Sequence, residues 1–306
     1  MANVPPGRVA GGKMGAFLRH APPHGTIASG LRFSSFFCLG VVVPSKTLPP
    51  ASWQLPPGVP AGTWDYFQSL EIAQTYDDFF GGNTLFEFDE AVLARHLARP
   101  GVVADLGCGT GRALLPLLRR GHRGVAVDLS QHMLDLVAAK AAEEDLPLEC
   151  VKANLVEMDV IPSESVDYAI CMFSTLGMIQ GRENRRRALT HARRILRPGG
   201  LLVLHVHNLW YNVIHPLGRG WLVRTLIRAA VRRDVEAGDK FFDYRGVPNM
   251  FLHVFRLPEL KRTLTEVGLK VVEVIPLDTA RRHALPNPWL LGRLRANGWI
   301  VVSRKQ

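Results

Sequence analysis

Between residue 101 and the end of the chain, short apolar runs alternate with longer stretches in which apolar positions return every three or four residues. The runs GVVADLG (101–107), GVAVDLS (124–130), LECVKAN (148–154), VDYAICMF (166–173) and LLVLHVH (201–207) predict five strands. LKVVEVIPL (269–277) and GWIVVSRK (298–305) predict two more. The spacing between them predicts a helix from the first run to about Arg120, and another over QHMLDLVAAKAAEEDL with Ser130 placed to cap it. A third, over 184–196, stops at Arg197-Pro198-Gly199-Gly200, and LPELKRTLTEVG predicts one more before the sixth run. Short, continuously apolar strands separated by helices are the pattern of a parallel sheet covered on both faces. The fold class is therefore α/β.

Two segments depart from this alternation. Residues 61–97 mix aromatics and acids with helical spacing at Phe88, Val92, Leu93 and Leu97. Residues 208–250 interrupt the pattern and contain WLVRTLIRAAVRR (221–233). On a helix, Arg224, Arg228 and Arg232 form one stripe there, with Trp221, Leu222, Leu226, Ile227 and Ala230 largely opposite. That amphipathic stretch suits a lid over an anionic or lipid-like substrate, a membrane-surface helix, or an ordinary surface helix.

Composition sharpens the boundaries. The formal charge is +10, but residues 1–60 carry Arg8, Lys13, Arg19, Arg32 and Lys46 with no acid, so half of the excess lies there. The same segment holds ten of the 21 prolines, and it is expected to be a disordered tail, a targeting leader or a start-site artefact. The domain is then expected over 61–306, with 61–99 as a helical lid and 208–250 as an insertion on the substrate side. No run approaches the roughly 20 apolar residues of a membrane span. Cys38, Cys108, Cys150 and Cys171 lie far apart without a CxxC pair, which argues against a disulfide framework or structural zinc, gives no metal site, and favours a reducing, cytoplasmic setting.

The chemistry concentrates in ADLGCGTGR (104–112), where three glycines follow the first strand. Bare backbone after a parallel strand lets peptide N–H groups approach a ligand closely. A Walker loop would need Lys and Ser or Thr after the last glycine, and a dinucleotide loop would need glycine where Arg112 stands. Asp105 before the loop suits a ligand with a cationic end and would repel a pyrophosphate. Asp128 closes the second strand about twenty residues on, where a carboxylate accepts ribose hydroxyls. Asn154 closes the third, beside the same crevice.

From about residue 60 to 305 the chain resembles a class I S-adenosylmethionine-dependent methyltransferase. The resemblance rests on VVADLGCGTG, Asp128 in GVAVDLS, Asn154 in VKANL, SVDYAICMFSTLG and ILRPGGLLVLHVHN. It implies a Rossmann-like three-layer sandwich with a seven-stranded sheet of order 3-2-1-4-5-7-6, the last strand antiparallel. It implies that Asp105, Gly107, Cys108, Gly109 and Gly111 hold the methionine end and Asp128 the ribose. Leu129 and Met133 would flank adenine, with Asn154 and Leu155 at its edge and the backbone of Met172 and Phe173 facing the ammonium group and the sulfonium. Many family members carry Asp where Asn154 stands. Tyr66, Phe67, Tyr76, Phe79 and Phe80 are candidates for an aromatic lid.

The acceptor is less legible. CMFSTLG after the fourth strand lacks the [DN]PP[YF] pattern of many exocyclic-amine methyltransferases. Cys171 follows Ile170 inside an apolar strand and is expected to be a small core residue. Both observations disfavour nucleic-acid chemistry. His205 and His207 share one face of the fifth strand, and His207 is the candidate catalytic base. The expected reaction moves a methyl group to an O, N or C atom of a small-molecule acceptor. An RNA or protein acceptor, a cofactor-binding scaffold without turnover, and a nicotinamide dehydrogenase are the alternatives.

Overall fold

The computed structural model describes residues 51–80, 85–214, 216–232 and 235–306. The expectations for residues 1–50 lie outside the described residues. Among the described residues nine strands form: β1 (Val102–Leu106), β2 (Arg123–Asp128), β3 (Leu148–Lys152), β4 (Val166–Cys171), β5 (Leu196–His207), β6 (Asp239–Tyr244), β7 (Val247–His253), β8 (Leu269–Pro276) and β9 (Gly298–Lys305). Seven of them make one sheet in the order β3-β2-β1-β4-β5-β9-β8. β1 to β5 pair in parallel, whereas β9 runs antiparallel to both β5 and β8. The expected order holds once the separate β6-β7 hairpin is set aside.

Ten helices accompany them among the described residues: α1 (Ala61–Gln68), α2 (Leu70–Gln74), α3 (Tyr76–Phe80), α4 (Leu85–His96), α5 (Leu115–Arg119), α6 (Gln131–Glu143), α7 (Arg182–Ile195), α8 (Pro216–Val231), α9 (Leu257–Glu266) and α10 (Gly292–Arg295). Strand alternation divides the core in two. Ala104, Ala169, Leu202 and Leu204 meet Ala188, Leu189, Leu260 and Leu264 on one face. Val103, Ala126, Ile170 and Val203 meet Leu93, Leu114, Leu134 and Val137 on the other.

Several boundaries depart from the sequence reading, each for a local reason. The helix expected after β1 begins only at Leu115, because Gly107, Gly109 and Gly111 all adopt positive φ (85°, 52° and 81°) and hold the chain out of helical geometry. Ser130 stands at the N-cap of α6 but its side chain makes no capping bond; its N–H donates to Asp128 instead. The insertion contains α8, which starts five residues earlier than expected at Pro216, and the hairpin, whose second strand runs on to His253. Arg245 and Gly246 at the hairpin tip both have positive φ, the backbone of a tight hairpin turn.

The base of the insertion is pinned by buried charge. Arg185, on α7, pairs with Glu236 at 2.8 Å, and Asp239 pairs with His253 at 2.7 Å. Glu236, His253 and Glu259 bring ligand-type atoms within 4.8 Å of one another, but the guanidinium groups of Arg182 and Arg185 already supply the positive charge at that cluster.

Candidate cofactor and active site

At the carboxyl ends of the parallel strands lies a cavity of about 350 Å³. It is bordered by every cofactor-site candidate named above except Gly111: Asp105, Gly107, Cys108, Gly109, Asp128, Leu129, Met133, Asn154, Leu155, Met172 and Phe173. Its formation follows from the topology, because a parallel sheet aims the ends of β1, β2, β3 and β4 at one crevice. Gly111 stands behind the wall. A Cβ at this position would overlap the Val137 side chain of α6, so glycine here is a packing requirement.

Asp128 joins the two loops of the site. Its Oδ2 accepts the Gly109 N–H and its Oδ1 the Ser130 N–H, both at 2.9 Å. Burial raises its pKa, and the N–H groups of Ser130, Gly109 and Leu129 oppose the rise. Each carboxylate oxygen keeps a second lone pair, so a ribose diol has acceptors waiting. Asp105 is different. It is buried with Oδ2 lacking any hydrogen-bond partner, and burial, with Asp128 beside it, pushes its pKa up to about 8 against the pull of Arg112. A buried carboxyl oxygen without a donor fits a ligand that brings its own ammonium group. The loop leaves room as well: a Cβ at Gly109 would meet nothing within 4 Å.

Some assigned contacts take a different form. The Asn154 amide is committed: its Oδ1 accepts the Val156 N–H at 3.1 Å and its Nδ2 donates to the Pro57 carbonyl at 3.0 Å. It therefore ties the preceding chain over the crevice, and Gly58 and Val59 line the cavity although the domain was expected to start at residue 61. The Met172 carbonyl accepts both the N–H (3.2 Å) and the Oγ1 (3.0 Å) of Thr175, so it turns into its own loop rather than toward a ligand. Phe173 and Ser174 sit at positive φ (54° and 67°), an uncommon backbone for such residues, of the kind found at functional turns.

The lid residues divide. Tyr66, Phe67 and Tyr76 line the cavity, Phe80 packs edge-on against Phe86 and Phe173, and Phe79 is mostly exposed. Asp77 holds this lid to the glycine loop by accepting the Thr110 hydroxyl at 2.6 Å and pairing with Lys140. The hairpin closes from the other side, where Arg245 donates to the Ile72 carbonyl and to Thr75 while Phe242, Tyr244, Met250 and Phe251 join the wall. Sequence reading missed the hairpin because Arg-Gly is a weaker turn signal than Asn-Gly. It also passed over Arg112 as a binding group. That guanidinium lines the cavity on the face of Phe86, 3.1 Å from the ring centre, with Nη1 unpartnered.

His205 and His207 do share a strand face, their rings edge to face at 5.1 Å. Only His207 reaches the cavity; His205 lies fully buried, with Arg281 Nη2 at 3.5 Å from its Nδ1. His207 Nδ1 lies 3.3 Å from Asn297 Oδ1, which makes Nδ1 the protonated nitrogen and leaves Nε2 a lone pair. Burial, reinforced by Arg281, pushes its pKa down to about 3. Cys171 is buried, and its thiol is pushed up to about 12, so it supplies no thiolate.

Residues 103–200 match the family model described as a methyltransferase domain. A probable methyltransferase, ltbC, of Aspergillus luteorubrus is 28% identical over 50% of this chain and 56% of its own length. The chain spans about half the length of the curated relatives it matches. Among solved structures, a SAM-dependent methyltransferase from Methanosarcina mazei superposes with TM-score 0.57 at 19% identity, covering 70% of this chain and 96% of that one. The 1,6-didemethyltoxoflavin-N1-methyltransferase of Burkholderia thailandensis, bound to its substrate and S-adenosylhomocysteine, gives 0.53 at 20% identity, covering 78% and 85%. Sheet order, glycine loop and paired aspartates agree with the family match: residues 103–200 belong to a methyltransferase domain, and the sheet is that of the class I S-adenosylmethionine-dependent methyltransferase fold.

Proposed function

We propose that the protein transfers a methyl group from S-adenosylmethionine to a small, largely aromatic or apolar molecule bearing one nucleophilic O–H or N–H. The observation that carries this reading is the composition of the wall beyond the glycine loop. Tyr66, Phe67, Tyr76, Phe242, Met250 and Phe251 enclose it, and His207 stands among them with an unshared nitrogen lone pair. A cavity of about 350 Å³, part of it filled by the cofactor, suits a small molecule. That the Burkholderia neighbour holds bound 1,6-didemethyltoxoflavin together with S-adenosylhomocysteine supports the same reading.

When bound, S-adenosylmethionine supplies a methyl group already activated by its positive sulfur. The protein's task is then to hold, orient and exclude water. Asp105 pairs with the ammonium group, Asp128 accepts the ribose hydroxyls, and the aromatic lid keeps the site dry. His207 Nε2 accepts the hydrogen bond of the nucleophile and fixes its aim. An O–H or N–H turns strongly acidic as its new bond to carbon forms, so a weakly basic imidazole accepts the proton only at that stage. Burial keeps Tyr66 and Tyr76 protonated, Tyr76 being pushed up to about 12, which leaves His207 as the base of the wall. Metabolite extract incubated with methyl-labelled cofactor tests the proposal directly: label is expected in a small apolar product, and label only in RNA or protein would overturn it.

Two outcomes follow at the bench. His207→Ala is expected to lower kcat at least about 100-fold, within the usual range for a lost general base, with cofactor affinity unchanged. Because this imidazole is neutral above about pH 3, the kcat profile should show no limb near the ordinary histidine value, as steady-state rates from pH 5 upward will check. Asp105 sets a second dependence. Its carboxyl, raised to about 8, is largely protonated at pH 6 and must ionise to meet the ammonium group. Affinity for S-adenosylhomocysteine is expected to rise up to about tenfold per pH unit below pH 8, with one proton released on binding and the slope abolished in Asp105→Asn. Calorimetry in buffers of different ionisation enthalpy reads this release, and a flat profile in the parent protein would remove Asp105 from the site.

A further inference from the structure

The outer face of α8 and a neighbouring loop carry a feature that methyl transfer does not use. Val223, Ile227 and Val231, one helical turn apart, form an exposed stripe along α8, with Ile227 59% exposed. The sequence reading set Ile227 opposite the arginines with Trp221, Leu222, Leu226 and Ala230; in the structure Leu222 and Thr225 are buried, Trp221 and Leu226 are partly covered, and Ile227 is exposed. Beside the apolar stripe run the exposed Arg224 and Arg228, and Arg219 and Arg232 extend the same basic series. From Asn208 to Arg232 the chain contains no acidic residue.

A second apolar projection precedes α10. Trp289, Leu290 and Leu291 form a loop tip in which the tryptophan is 81% exposed. The tip is built, not trailing: the Arg295 guanidinium caps the carbonyls of Pro286, Asn287 and Leu290 at 3.3, 3.3 and 3.0 Å. Asn287 and Leu291 both adopt positive φ (49°), a costly backbone for leucine that turns its side chain to solvent. The loop and α8 belong to one region, because the short 3-10 helix Leu209–Val213 packs against both α8 and α10. From Thr279 to the last residue the chain again has no acid, against six lysines and arginines.

We propose that this face docks on the surface of an anionic phospholipid bilayer. The argument is charge and shape together. An apolar stripe flanked by arginines on a helix without acids is the pattern of a helix lying in a membrane interface. Tryptophan with leucines at a protruding tip has an amphipathic ring suited to the headgroup level. Single exposed apolar residues are ordinary, but a stripe and a braced tip on one basic region are not. No described helix is long and apolar enough to cross a membrane, so the association is peripheral. The inference does not depend on which acceptor the enzyme methylates.

Sedimentation of the full chain with vesicles tests it, comparing phosphatidylcholine alone with phosphatidylcholine containing one third phosphatidylserine. Binding is expected only to the anionic vesicles and should weaken steeply as salt is raised. The double variant Arg224→Gln/Arg228→Gln should bind about 25-fold less tightly, at about fivefold per charge. Ile227→Glu and Trp289→Ala should each lower binding at least about tenfold. All of these residues are exposed, so S-adenosylhomocysteine affinity and melting temperature should stay at parent values. Equal binding to both vesicle types, or anionic binding that survives these substitutions, overturns the proposal. It also falls if gel filtration shows the parent protein dimeric and Ile227→Glu monomeric, which would assign the face to a second copy of the chain. Binding to RNA with none to vesicles is equally fatal to it.

Discussion

Asp128→Ala is expected to weaken S-adenosylhomocysteine binding about 100-fold or more in calorimetry while leaving the fold in place. Two hydrogen bonds from ribose hydroxyls to an ionised carboxylate contribute about 1.5–3 kcal/mol each, and about 1.4 kcal/mol is a factor of ten in affinity. Burial raises the folded-state pKa of Asp128 above its ordinary value. A carboxyl with a raised folded pKa destabilises the folded state once pH exceeds its unfolded pKa, so removing it takes away no stabilisation at neutral pH. The bonds to the N–H groups of Gly109 and Ser130 are lost with it, but burial outweighs them already, since the pKa stays raised with them in place. Asp128→Asn, which keeps one acceptor oxygen, should fall between. Parent-level affinity in the alanine variant would contradict the ribose assignment.

Gly111→Ala should do the opposite, damaging stability far more than any direct ligand contact. The backbone there has φ of 81°, and the added Cβ would overlap Val137 on α6. Left-handed backbone costs a non-glycine residue about 1–2 kcal/mol, and overpacking a core about 1–3 kcal/mol more. For a domain of this size each kcal/mol lowers the melting temperature by about 2–4 °C, so a drop of about 10 °C is expected by calorimetric scan. Gly109→Ala supplies the contrast. Its Cβ meets nothing within 4 Å, so only the left-handed cost of its φ of 52° remains, about 1–2 kcal/mol; the melting point should fall by roughly half as much or less, while the methyl group enters the crevice and lowers cofactor affinity. If both variants behave alike, the division of the loop into a packing glycine and a ligand-facing glycine is wrong.

The groups least legible in the sequence are those whose partners are distant in the chain. Asp105 and Asp128 were readable because Asp128 closes β2 and Asp105 stands one residue before the end of β1, and strand ends in a parallel sheet must meet at one edge. Asn154 was readable as a position but not as a contact, since its amide is taken by Pro57, 97 residues away. His207 was readable as a strand-end histidine. That its Nδ1 faces Asn297, 90 residues on, and that burial, with Arg281 beside it, keeps the ring neutral depend on packing alone.

By itself the sequence determined the α/β class, the order of the strands in the main sheet, and the glycine-rich turn after β1. These follow from local causes: apolar periodicity, glycine where backbone must bend leftward, and a carboxylate at a strand terminus. Tertiary structure alone decided that residues 57–59 cross the crevice, that the hairpin tip and the aromatic lid meet over it, and that α8 turns Ile227 outward. Each of these rests on contacts between segments far apart in the chain, and no residue's neighbours along the backbone carry that information.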